Sequence, residues 1–167
     1  INGLQVDIYT SNESIGLQAE YIRDGLDWRA WLGNVHKILN SDVRRLHIMN
    51  TVNALCLDSL PEFLELLVEL KHQYQDRISF TLNILRFPSF QSPLVLSDEL
   101  RTHYRGRLNN VFVGMKQSNI LEEHEHNHIQ RLIDYLDIVK TPHSEAFDRP
   151  KLLNDFKEFF SQYDQRR

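Results

Sequence analysis

The sequence predicts an α/β protein whose first half is built from parallel strand–helix–strand units, a piece of a larger barrel, and whose second half is mainly helical. Two patterns carry this. Short alternating apolar segments start roughly 35–40 residues apart, with amphipathic helical stretches between them, which is the spacing of parallel strands joined by right-handed crossovers. After Phe87-Pro88 the alternation stops and helical periodicity takes over. The expected division is residues 1–88 for the strand–helix units and 89–167 for the helical extension.

In the first strand Leu4, Val6 and Ile8 alternate with Gln5, Asp7 and Tyr9. A polar turn follows, from Thr10 to Ser14. Trp28, Trp31, Leu32, Val35, Ile38 and Leu39 then share one helical face, with Asp27 as N-cap. A second strand is expected over about Arg45 to Asn53. Ser59 and Glu62 have the spacing of a capping box opening a helix that buries Leu60, Phe63, Leu64, Leu67 and Leu70. A third strand covers about Ile78 to Leu85. Beyond it, Ser89 to Leu96 reads as a loop. Ser97 opens a helix reaching about Leu108, and Asn109 to Asn119 is ambiguous between helix and loop. Ile129, Leu132, Ile133 and Leu136 mark another helix, ended by Pro142. Asp148 and Pro150 start the last one, which carries Leu152, Leu153, Phe156, Phe159 and Phe160.

The 167 residues suffice for one domain with a real core. A formal charge of −4 argues against broad nucleic-acid binding, which needs a basic stripe. No apolar run approaches ~18 residues, so no membrane span is expected. A single cysteine, Cys56, excludes an internal disulfide and a zinc or iron–sulfur site made of this chain's cysteines. An intracellular, cytoplasmic setting is expected. The chain opens on Ile1 rather than Met, as a processed or partial polypeptide would.

Parallel strands covered on both faces should be apolar throughout. Here one face reads Leu4, Val6, Ile8, Leu46, Ile48, then Ile78, Phe80, Leu82 and Ile84. The other reads Gln5, Asp7, Tyr9 and Ser11; His47, Met49, Thr51 and Asn53; then Ser79, Thr81 and Asn83. The polar column is either the wall of a wet or ligand-filled cavity or a solvent-exposed face. Chemistry in barrels gathers at strand carboxyl ends, here Ser11, Asn53 and Asn83. Three strands cannot close a barrel, so the first strand's edge should lie open unless further N-terminal strands or a second copy cover it; the alternative is a small open sheet capped by the C-terminal helices.

One stretch is more specific. Ser11-Asn12-Glu13-Ser14-Ile15-Gly16, followed by Glu20-Tyr21-Ile22-Arg23-Asp24-Gly25-Leu26-Asp27, resembles the middle of radical S-adenosylmethionine (radical SAM) enzymes of the twitch/SPASM-like group. There a strand ends in Ser-Leu-Asp-Gly and an Arg follows about a dozen residues on. Asn34 to Leu39, Thr51 to Asn53, Leu60 to Phe63, Leu85 to Pro88 and the tail from Phe160 to Arg167 are similar to later parts of the same group. The resemblance covers the C-terminal half of such an enzyme. It implies a partial (β/α)6-type barrel and a twitch-like extension. In the group, a CxxxCxxC loop early in the barrel holds a 4Fe–4S cluster, which reduces S-adenosylmethionine to a radical that abstracts hydrogen from a substrate. By resemblance, Ser11 and Arg23 contact S-adenosylmethionine, as a hydroxyl and a guanidinium suit its polar groups and carboxylate; Asn53 and Asn83 join them as strand-end polar residues. The cysteine loop and C-terminal cysteines are absent, Asn12-Glu13 replaces Leu-Asp, and Cys56 stands where relatives often have Asn. Alone, the chain is expected to be inactive and to bind no cofactor; its implied partners are a missing N-terminal half and a peptide or protein substrate. The alternative is a non-catalytic binding or interaction module on a half-barrel.

Four other features carry chemistry of their own or none. His124, His126 and His128, within Glu122 to His128, could bind nickel or zinc on an extended segment, or belong to a solvated loop. Asp7 and His47 could be an acid/base pair or a structural polar contact. His143, in a loop, and Arg166-Arg167, a solvated tail, carry no particular signal.

Overall fold

The computed structural model describes residues 5–138 and 148–167. Its elements are β1 (Asp7–Ser11), α1 (Gly16–Ile22), α2 (Trp28–Leu39), β2 (Arg45–Val52), α3 (Leu60–Tyr74), β3 (Ile78–Ile84), α4 (Asp98–Ser118), α5 (Glu123–Leu136) and α6 (Arg149–Arg166). Short 3₁₀ turns punctuate the links. The three strands form one parallel sheet in the order β1-β2-β3. Leu4, Pro142 and His143 lie outside the described residues.

Register explains the two faces. Ile8 pairs with Leu46, Leu46 with Ile78, and Ile48 with Phe80, so the apolar residues form continuous rows. Leu46, Ile48, Ile78, Phe80 and Leu82 are buried with Val35 and Leu39 of α2 and Phe63, Leu64 and Leu67 of α3. The alternate rows, Tyr9–His47–Ser79, Ser11–Met49–Thr81 and Thr51–Asn83, occupy the opposite face. Tyr9 is 60% exposed and Met49 39%, which marks this face as open around β1 and β2.

Asp27 caps α2 by accepting from the Ala30 amide at 2.8 Å. The capping box expected at Ser59 does not form. The Ser59 hydroxyl instead meets Ser14 Oγ at 2.5 Å, and Glu62 pairs with Arg107 of α4. The stretch after β1 is also no surface turn: Asn12, Glu13 and Ser14 are buried. Gly25, at φ +78°, makes the left-handed turn between α1 and α2 that a side chain would strain.

In the second half, α4 runs through the ambiguous stretch to Ser118, because Leu108, Phe112 and Met115 are buried against the core and Asn119 ends the helix in the left-handed region. Local propensity around Asn109 and Asn110 is weak; packing overrides it. The histidine-rich segment is not a loop. Glu122 and Glu125 form a reciprocal capping box, and α5 starts at Glu123. Leu152 of α6 joins Ala54 and Val95 in a small apolar cluster apart from the main core. No helix among the described residues is long and apolar enough to cross a membrane.

Candidate functional site

A cavity of about 390 Å³ opens at the carboxyl ends of the strands. Glu13, Arg23, Thr51 and Asn53 line one side, and Phe156, Phe159, Phe160 and Tyr163 of α6 line the other. The placement follows from topology. Parallel strands end together, and the loops leaving them converge on one rim.

The polar side centres on an ion pair. Arg23 Nη2 lies 2.5 Å from Glu13 Oε2, and Arg23 Nε reaches the same oxygen at 3.2 Å. The Glu13 side chain is 3% exposed and that of Arg23 30%, so the pair faces the cavity through the guanidinium. Arg23 therefore turns back toward the end of β1, with Glu13 as partner in place of the nearer Asp24 or Glu20. Asn53 caps its own turn: Oδ1 accepts from the Leu55 and Cys56 amides at 2.9 and 3.1 Å.

The aromatic side is held by the end of α6. Tyr21 of α1 donates to Asp164 at 2.7 Å, Tyr163 donates to the Tyr21 carbonyl at 3.0 Å, and Arg167 donates to the Glu20 carbonyl at 2.8 Å. Burial, then the Asp164 bond, pushes the Tyr21 hydroxyl up to about 12, so it stays a donor at neutral pH.

Of the four residues singled out from sequence, the fold brings Arg23 and Asn53 to this cavity. Ser11 sits half-buried on the Tyr9 face of the sheet, and Asn83 is exposed on β3; neither lines the cavity. Glu13 and the α6 aromatics were not assigned to a site. Their one legible signal is the spacing of Phe156, Phe159, Phe160 and Tyr163, a single helical stripe of rings.

A second constellation lies near the amino ends of the strands, on the open face. Ser79 Oγ and His47 Nδ1 share a 2.6 Å hydrogen bond, His47 Nε2 stands 3.8 Å from Asp7 Oδ2, and Tyr9 stacks on the imidazole at 4.7 Å. The residue types are those of a nucleophilic triad, but the geometry is not. Ser79 is 2% exposed, and 3.8 Å exceeds a hydrogen bond. Burial and the adjacent Arg45 hold His47 below its usual range, so it is neutral, and Asp7 pairs with Arg44. This is structural polar pairing.

Of the three α5 histidines, His124 and His128 pack edge to face at 5.9 Å, while His126 turns elsewhere. His124 approaches Glu122, His126 packs on Phe112, and His128 Nδ1 accepts from the Leu82 amide at 3.3 Å. Among the described residues no group of three or more His, Cys, Asp or Glu is placed to hold a metal ion.

Cys56 does not fit a 4Fe–4S cluster. It is fully buried, its thiol is pushed up by that burial, and it donates to the Asn53 carbonyl at 3.3 Å. No protein-family model, curated protein or solved structure matches this chain.

Proposed function

We propose that this chain is the C-terminal portion of a radical SAM-like enzyme, its three strands part of a (β/α)6-type barrel and its strand-end cavity a site for S-adenosylmethionine. The cavity carries the reading. It lies at the strand carboxyl ends, it holds Arg23 and Asn53, and its Glu13–Arg23 pair is a neutral dipole. Such a pair suits the ammonium and carboxylate of an amino acid. Ser11 and Asn83, outside the cavity wall, would act only through groups bound further across the open face. The cluster has no ligands here and belongs to another part of the parent, the N-terminal half that would pair along β1. When bound in the parent, S-adenosylmethionine supplies the group that abstracts hydrogen from a peptide or other substrate. This chain's residues bind and orient it. The setting is cytoplasmic in this reading.

The competing reading is a non-catalytic binding module. One observation favours it: both Arg23 and Asn53 already have structural partners, Glu13 and the Leu55–Cys56 turn. Titration of the chain with S-adenosylmethionine, followed by amide chemical shifts, separates the two. Because the residues lining the cavity all belong to this chain, the enzyme reading expects binding to the chain itself, in place of the absence of binding expected from the sequence: saturable shifts around Arg23 and Asn53, and an Arg23→Ala variant that binds about tenfold more weakly, a loss of ~1.4 kcal/mol. Unaltered affinity in the variant removes Arg23 from the site and leaves the module reading.

A further inference from the structure

The cavity has two chemically different halves, and the resemblance speaks only to one. The second half is α6. Of its 18 residues only Leu152 is buried, so the helix is not held by the main core. Its ring-bearing stripe is nonetheless fixed over the cavity. Phe160 packs against Tyr21 at 6.2 Å and Phe156 at 4.7 Å, Phe159 packs on Phe90 at 5.4 Å, and the Tyr21–Asp164 bond closes the end. Phe159 remains 42% exposed. An aromatic wall that is positioned yet incompletely covered offers faces and edges to another ring. Across the cavity stands the Glu13–Arg23 dipole, with the guanidinium exposed to it.

We infer that α6 is the ring-recognising wall of this site, so that the cavity takes a ligand with a zwitterionic amino-acid end at Glu13–Arg23 and a planar ring against Phe156, Phe159 and Phe160. This deepens the S-adenosylmethionine reading, whose ligand has both parts, and rests on it only for that particular ligand. The inference assigns ring selectivity to residues about 140 positions from Arg23, on an element joined to the strands only through the fold.

The test titrates the whole chain with three probes, S-adenosylmethionine, L-tryptophan and L-methionine, in the wild type and in Phe160→Leu. The inference expects both ring-bearing probes to bind the wild type and to weaken fivefold or more in the variant, with methionine unchanged. Equal affinities in wild type and variant overturn it, as does failure of both ring-bearing probes to bind. Tryptophan binding without S-adenosylmethionine binding leaves the inference standing and sinks the cofactor reading. If Phe160→Leu undocks α6, seen as loss of the Tyr163–Tyr21 contact, transferred nuclear Overhauser effects from the probe ring to wild-type Phe156 and Tyr163 decide instead. Their presence supports the ring wall and their absence overturns it.

Discussion

Glu125 and Lys71 meet in the interior at 3.0 Å, with side chains 0% and 3% exposed. Every polar atom of the Glu125 carboxylate is used: Oε1 accepts from the Phe80 amide at 3.0 Å and Oε2 from the Glu122 amide at 2.8 Å. Burial raises the Glu125 carboxyl above its usual range, and Lys71 opposes that shift. Without Glu125, Lys71 keeps the Ile78 carbonyl at 3.0 Å and the more distant Glu122 at 3.5 Å, but the Phe80 and Glu122 amides lose their acceptor, so Glu125→Ala should cost about 3 kcal/mol, read as a lower urea midpoint. His128 carries a pH dependence. Burial, then Arg131, lowers its pKa below 6.5, so the unfolded chain takes up a proton that the fold resists. Its contribution is therefore present above pH 6.5 and lost as the pH falls below it. His128→Asn keeps an acceptor for the Leu82 amide without titrating. The urea midpoint of that variant should fall less between about pH 7.5 and 5.5; an unchanged slope would refute the role, while His47, lowered in the same direction, leaves a residual slope. Neither role was legible in the sequence. Histidines two apart read as a metal cluster or loop, and only the packing of α5 separates them, with His128 on the β3 edge and His126 on Phe112 of α4.

At the scale of elements, α5 works as a strand edge in side-chain form. Glu125 and His128 accept from the Phe80 and Leu82 amides, and Arg131 donates to the Leu82 carbonyl, so residues three apart on successive turns satisfy the outward groups of β3. β1, at the other end of the sheet, pairs only with β2 among the described residues. The Asn12 amide bonds to β2 at Met49, so by alternation the Tyr9 and Ser11 amides point outward. Hydrogen exchange should show this asymmetry. Phe80 and Leu82 should exchange at least about a hundredfold more slowly than Tyr9 and Ser11; equal rates would mean that the α5 contacts do not persist. The order of strands and helices was readable because each carries its own period: alternation in Arg45–Val52, a helical stripe in Trp28–Leu39. What α5 pairs with was not, since a side chain that replaces a strand leaves no periodic mark. The same limit hid the Ser59 outcome, where a hydroxyl placed to cap its own helix binds Ser14 from across the chain.

The molecule as a whole has one finished end and one unfinished side. Helices α2 and α3 cover the apolar face, α5 closes β3 and α6 roofs the strand carboxyl ends. Among the described residues the β1 edge and the Tyr9–Met49 face have no such cover, and Val6, Tyr9 and Met49 are exposed there at 49%, 60% and 39%. In the sequence the same face was a polar column readable as a cavity wall or as an exposed face, on strands too few to close a barrel. The carboxyl-end cavity was legible only from its Arg23 side, because its aromatic wall arrives from residues more than 130 positions away. An open edge with exposed apolar groups pairs with whatever strand it meets. In the proposed parent that strand is the chain's own; in isolation it is a second copy. The 167-residue chain should therefore associate as its concentration rises, and a charge at the centre of the edge strand should oppose it. Tyr9→Lys removes a ring stacked on His47 but little buried area, so its stability should change by roughly 0.5 kcal/mol or less. Sedimentation velocity should show the wild type shifting toward dimer and the variant staying monomeric. A wild type that remains monomeric at every concentration would mean that the edge is guarded in the chain itself, and would count against the proposed parent.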